Sequence, residues 1–244
     1  SALGGLIYAF LTITLRANQN VTGLALTTFG MGVANFFGVF ILNGASYTAA
    51  PLAYKAFSAM IPVLSGLGVV GKVLFSYGFL AYAAIVLAVV LHWFFTRTRA
   101  GLNLRAVGEN PNTADAASIN VTKYKYMATC IGSMIAGLGG LYYVMDYASG
   151  VWSNNAFGDR GWLAIALVIF TIWRSNVGVF ASILFGGLYI VYNFIPGLSR
   201  SATELFKMLP YVVTIIVLII ISIRRKRENQ PPASLGLSYF REER

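Results

Sequence analysis

TRTRAGLNLRAVGENPNTADAASINVTKYK, residues 96–125, is a polar stretch between two apolar runs, Val73–Phe95 and Tyr126–Tyr147. Each run is long enough, at about 1.5 Å per residue, to cross the ~30 Å hydrocarbon core of a bilayer. The stretch carries five basic residues, Arg97, Arg99, Arg105, Lys123 and Lys125, and a short capped helix is written inside it. Asn110 is a strong N-cap type, and Pro111 suits the first helical turn. Asn112–Ile119 is rich in Ala, and Asn120 is expected to end the helix in a left-handed conformation. A short rigid helix of this kind, preceded by Arg105 and Glu109, is a knob for a partner's socket. The plainer alternative is an ordered loop that only braces the bundle.

Composition agrees with a membrane setting. The 244 residues are 57% hydrophobic and only 11% charged, against about 25% charged in an ordinary soluble domain. Besides Val73–Phe95 and Tyr126–Tyr147, the runs Val21–Leu42, Val177–Ile195 and Pro210–Ile223 approach membrane length. Ala2–Leu15 reads as the tail of a helix whose start is missing, and Gly161–Trp173 as a short crossing that neighbouring helices must cover. The expected fold is an all-α polytopic bundle of six to seven spans. Residues 1–223 form its membrane domain, with the loop 96–125, and residues 224–244 a basic cytosolic tail.

The net charge of +10 is a topology signal rather than a nucleic-acid stripe, because the charges sit at the ends of apolar runs. With the C-terminus cytosolic, Arg16, the five basic residues of the loop, Arg174, Arg224, Arg225, Lys226, Arg227, Arg241 and Arg244 lie inside. Lys55, Lys72, Arg160, Arg200 and Lys207 lie outside. The bias favours this orientation. It also favours a full crossing by Gly161–Trp173, since a re-entrant segment would put the loop and Arg224–Arg227 on opposite sides.

Small residues recur four apart at Gly30, Ala34 and Gly38, at Gly132, Ala136 and Gly140, and at Gly178, Ser182 and Gly186. Such faces let transmembrane backbones approach closely. On the outer side, Asn43–Lys72 reads as a long loop, and Ser201–Leu209 as an interfacial helix with a Ser201/Glu204 capping box.

Several motifs are decoys. GLGVVGKV, residues 66–73, lacks the Ser or Thr that a phosphate loop needs after its Lys. The sequons at Asn20 and Asn120 fall on the cytosolic side. Cys130 is the lone cysteine and His92 the lone histidine, the latter read as a solvated anchor near the inner face. Asp146, beside Tyr142, Tyr143 and Tyr147, reads as a satisfied interfacial acid, with a pathway role as the alternative. No span has an ionisable residue near its centre, which disfavours an ion-coupled carrier. No Ser/His/Asp set, carboxylate pair or metal cluster suggests an enzyme, and no cofactor is expected.

GLNLRAVGENPNTADAASINV (101–121), RGWLAIALVIF (160–170) and FGGLYIVYNF (185–194) resemble bacterial ABC-importer permeases of the branched-chain amino-acid and simple-sugar permease family. LRANQNVTGLALTTFGMG (15–32) and PPASLGLSYFREER (231–244) most resemble its nucleoside-type subgroup. The resemblance covers almost the whole chain. It implies a permease in the bacterial cytoplasmic membrane, driven by a separate ABC ATPase, paired with a second related permease and served by a substrate-binding lipoprotein. Loop residues Arg105, Glu109, Asn110, Pro111, Ala114, Ala116 and Ala117 would then couple to the ATPase. Three departures stand out: the family's first helices, with their Gly-rich cytosolic segment, are absent, Ser118 replaces a usual Gly, and Arg174-Ser175-Asn176 replaces a common Asn-Pro turn. Nucleosides are the expected substrates, with simple sugars and then branched-chain amino acids as alternatives. Asn35, Phe36 and Phe37 in mid-span, and Tyr192 with Asn193 nearer the outside, offer the stacking and hydrogen-bonding groups that a nucleoside needs.

Overall fold

A computed structural model of the chain describes residues 1–42, 47–48, 51–58, 75–153, 155–158, 160–224 and 231–240. The GLGVVGKV stretch, most of the loop Asn43–Lys72, and Arg225–Arg227 of the basic cluster lie outside these residues. Among the described residues, five helices are long and apolar enough to cross a membrane, and two shorter apolar helices accompany them. The protein is an all-α, multi-pass membrane bundle. Its large apolar side chains turn outward: Phe29, Phe40, Val89, Phe180, Ile183 and Ile219 are all exposed. That is the arrangement expected where the surrounding solvent is lipid.

The chain divides into two compact units. The first holds Ser1–Ala84, Arg99–Phe157 and Ser234–Arg244. Helix α1 (Ala2–Ala9) ends in a π-helical turn, Phe10–Thr14, and α2 spans Gln19–Leu42. Arg16, at φ 56°, bends the chain between them, and the Asn18 side chain accepts the N–H groups of Asn20 and Val21 at the start of α2. A two-residue strand β1 (Tyr47–Thr48) and helix α3 (Pro51–Phe57) follow. Helix α4 (Phe79–Arg97) starts in this unit and ends in the other. The polar loop folds into α5 (Arg99–Glu109) and α6 (Pro111–Ala116). Helix α7 (Val121–Tyr142) ends in a second π-helical turn, Tyr143–Tyr147, and β2 (Val151–Trp152) pairs antiparallel with β1.

Helices α1 and α7 pack closely because small residues meet there. A Cβ on Gly5 would collide with the Ser133 side chain, and one on Gly137 with the side chain of Ser1. The face of α7 in use is therefore Thr129–Ser133–Gly137. The expected stripe is not used in this packing: a Cβ at Gly132 or Gly140 would meet nothing within 4 Å among the described residues. The hydroxyls on this face bond backbone carbonyls one turn back, Ser133 to Thr129 and Thr129 to Lys125. They thus enter an apolar helix with no unpaired donor. At the far end of α7, the Asp146 carboxylate accepts the backbone N–H of Gly78, which fits the satisfied-acid reading.

The second unit holds Ile85–Thr98 and Gly158–Ala233. Helix α8 (Arg160–Phe170) is short and is covered by α9 (Ser175–Ile190) and α11 (Leu209–Arg224). Phe185 of α9 is buried edge-on to Phe170, with centroids 5.0 Å apart. The turn between α8 and α9 holds both Ile172 (φ 54°) and Trp173 (φ 58°) in the left-handed region, which a β-branched residue rarely enters. Helix α9 stops at Ile190 and tightens into a 3-10 turn, Val191–Phe194, and the two together form a span of membrane length where Val177–Ile195 is expected.

The helix expected at the interface, α10, runs Arg200–Lys207, but its cap differs from expectation. Ser199 is the N-cap, its hydroxyl accepting the N–H of Ala202 at 3.3 Å. Ser201 lies within the first turn, and Glu204 pairs instead with Lys207 at 2.8 Å. A carboxylate one turn before a lysine has a charged partner at hand, stronger than the backbone N–H offered by a capping box.

Candidate coupling site

The polar loop is a small folded layer with its own core. Val107 of α5, Ala114 of α6 and Val121 of α7 are buried together, and Ile119, Tyr124 and Tyr239 pack around them. As expected, Asn110 caps α6, its side chain accepting the N–H of Thr113 at 3.1 Å, and Pro111 opens the helix. The far end differs from expectation. Helix α6 stops at Ala116, and the left-handed residue is Ser118, at φ 62°, not Asn120. Ile119 N–H donates to the Ala114 carbonyl and Ser118 N–H to that of Asp115. This 6→1 and 5→2 pair is the Schellman arrangement, completed by Ile119 reaching back into the core. Asn120 instead caps α7, accepting the N–H of Lys123 at 2.9 Å. Ser118 therefore occupies a position where glycine would fit without strain.

Pinned at both ends, α6 presents two kinds of position. Ala114 turns inward and is 3% exposed, so it belongs to the packing of the layer. Ala116 and Ala117 are exposed, as are Arg105, Glu109 and Asn110, while Pro111 is half-buried. The sequence reading missed two parts of this layer. One is α5 as a regular helix; the apolar Leu104 and Val107 between basic residues were its signal. The other is the tail, whose Ser234 N–H donates to the Gly108 carbonyl at 3.1 Å while its hydroxyl bonds the carbonyls of Gly108 and Val107.

The candidate pathway residues fall in different units. Asn35, Phe36 and Phe37 lie on α2 in the first. Phe36 is 65% exposed and stands edge-on to Phe37, with centroids 5.5 Å apart. Tyr192 and Asn193 lie in the 3-10 turn of the second, and the Lys207 ammonium sits 5.8 Å from the Tyr192 ring. Among the described residues, no group of three His, Cys, Asp or Glu side chains could hold a metal ion.

Five helices of membrane length among the described residues define a polytopic membrane protein. The chain belongs to the family of branched-chain amino acid transport system permease components, whose pattern matches residues 1–218. It is 33% identical to the nucleoside ABC transporter permease protein NupC of Lactococcus lactis, over 89% of this chain and 68% of NupC. It is 31% identical to the guanosine ABC transporter permease protein NupQ of Bacillus subtilis, over 89% of this chain and 68% of NupQ. A putative glucose ABC transporter permease protein, TsgC13 of Haloferax volcanii, is 36% identical over 74% of this chain and 54% of its own length. No solved structure matches.

Proposed function

We propose that this chain is a permease subunit of a nucleoside importer in the bacterial cytoplasmic membrane, with its loop and C-terminus cytosolic. The observation that carries the reading is the similarity to NupC and NupQ, which runs through 89% of the chain in each case and includes the capped loop helix. The chain performs no covalent step. A partner ATPase hydrolyses ATP, a second related permease completes the path, and a binding lipoprotein delivers substrate.

The first unit suggests how force enters. Closing of the ATPase would press on the exposed face of α6 at Ala116 and Ala117. Helix α6 is stiffened by its Asn110 cap and its Schellman end. Ala114 packs with Val121, the first residue of α7, so a push on α6 moves α7. Helix α7 carries α1 with it through the close Gly5–Ser133 contact. Asn35, Phe36 and Phe37, with Tyr192 and Asn193, remain the candidates for substrate contact, offering aromatic faces and amides to a base and ribose.

Uptake of radiolabelled nucleoside tests the reading. It should require this chain, stop with vanadate, and be little affected by excess unlabelled ribose. The similarity to TsgC13 favours a second reading, a sugar permease, and strong competition by ribose or glucose would select it.

A further inference from the structure

Beside the coupling layer, the first unit has a partly open cavity of about 300 Å³, at the lower end of the ~300–1,000 Å³ range of small-molecule sites. It lies where the π-helical turn after α1, the start of α2, the start of α7 and the tail residue Tyr239 converge. Its polar lining includes Thr14, Arg16, Gln19, Thr122 and Lys125, and among the described residues no carboxylate lines it.

Two features of this lining favour a negative charge. Among the described residues, neither Arg16 nor Lys125 is within ion-pair distance of a carboxylate. Each is instead held by an aromatic ring of the tail. The Arg16 guanidinium carbon sits 4.6 Å from the Phe240 centroid, and the Lys125 ammonium 5.8 Å from that of Tyr239. A ring face positions a cation without neutralising it, so the N–H donors keep their charge. The start of α7, a 22-residue helix, also faces the cavity at Val121 and Thr122, and its dipole adds partial positive charge.

The chain holds this arrangement in place. Arg16 adopts φ 56°, a conformation that an L-residue takes at a cost. Its carbonyl accepts from the Ser238 hydroxyl at 3.5 Å, and the Gln19 amide donates to the Leu237 carbonyl at 3.3 Å. The tail thus forms one wall of the cavity and positions both cations through adjacent residues, Tyr239 and Phe240.

We propose that this cavity binds a phosphate-bearing anion, whose oxygens bond the Arg16 guanidinium and the Lys125 ammonium. A planar guanidinium and a point-like ammonium on one site suit a phosphate, with its several oxygens, better than a single carboxylate. The anion is either a phospholipid headgroup, since basic pockets at the ends of transmembrane helices hold such groups, or a free phosphate. The proposal goes beyond transport and does not require that the substrate be a nucleoside.

The test uses the full chain, purified in detergent and stripped of lipid. One arm measures binding of added phosphatidylglycerol or cardiolipin by native mass spectrometry, with phosphatidylcholine as control. The other measures binding of inorganic phosphate by equilibrium dialysis. The expected result is binding of an anionic probe in one arm, weakened roughly tenfold or more in Arg16→Gln/Lys125→Gln, as loss of charge-assisted hydrogen bonds implies, and retained in Lys125→Arg. Binding in the lipid arm assigns the site to a headgroup, and in the phosphate arm to a soluble anion. If the double variant does not fold, Lys125→Gln alone must weaken binding several-fold. Binding of neither probe by the wild-type chain, or binding that these substitutions leave unchanged, would overturn the proposal.

Discussion

The Asn110 side-chain oxygen accepts the backbone N–H of Thr113 at 3.1 Å, and this bond fixes where α6 begins. Removing an N-cap acceptor costs about 1 kcal/mol. Asn110→Ala should therefore loosen α6 and leave the membrane helices intact, whereas Asn110→Asp should keep the cap. Hydrogen exchange at the amides of Thr113 and Ala114 checks this: faster exchange is expected in the Ala variant only.

At the other end of α6, Ser118→Gly should stabilise the layer. Ser118 sits at φ 62°, where a side chain costs about 1–2 kcal/mol that glycine avoids. Slower exchange at Ile119, whose N–H reaches the Ala114 carbonyl, is the expected result. Unchanged or faster exchange would mean that the Ser side chain contributes more than the strain it carries.

The two small faces of α7 should respond differently to bulk. Bulk on the Ser133 face comes from Gly5→Leu on α1, whose Cβ would meet the Ser133 side chain and approach the Thr129 carbonyl to 3.3 Å, and overpacking of this kind costs about 1–3 kcal/mol. A Cβ at Gly140 would meet nothing within 4 Å among the described residues, so Gly140→Leu starts into open space. Thermal denaturation of the detergent-purified protein should show a lowered midpoint for the first and little change for the second. If Gly140→Leu abolishes transport while leaving that midpoint unchanged, the open face is a contact for a second permease subunit.

Position 114 should separate from positions 116 and 117. Ala114→Trp overpacks a buried site among Val107 and Val121, so it should lower abundance or stability by about 1–3 kcal/mol. Ala116→Trp and Ala117→Trp add bulk at exposed positions and should leave abundance in the membrane unchanged. A cysteine at 116 or 117 should be labelled by a membrane-impermeant thiol reagent only from the cytosolic side.

What the sequence made legible follows from how local each signal is. The spans needed only length and hydropathy, and the start of α6 only the adjacent pair Asn110-Pro111. The end of α6 was decided by tertiary packing. Ser118 and Asn120 can both leave the helix, but only a stop at Ala116 brings Ile119 onto Val107 and frees Asn120 to cap α7. The Ser201/Glu204 capping box failed similarly, because Ser199 and Lys207 offered competing partners. On α7, small residues occupy two faces, and the position of α1, a long-range fact, selected Ser133 and Gly137 over Gly132 and Gly140. The union of the tail with α5 depends on Ser234 meeting Gly108, far apart in the chain, and no local pattern announces it.

In the proposed function, an ATPase drives this permease through the exposed face of α6. The most direct test is ATP-dependent uptake of radiolabelled nucleoside by the assembled transporter in proteoliposomes, wild type against Ala116→Trp and Ala117→Glu. A bulky ring or an unpaired charge in a docking groove costs several kcal/mol. Uptake lower by roughly tenfold or more, unchanged permease abundance, and an ATPase that no longer co-purifies or no longer responds to loaded binding protein are expected. Wild-type uptake by both variants would contradict that drive through α6.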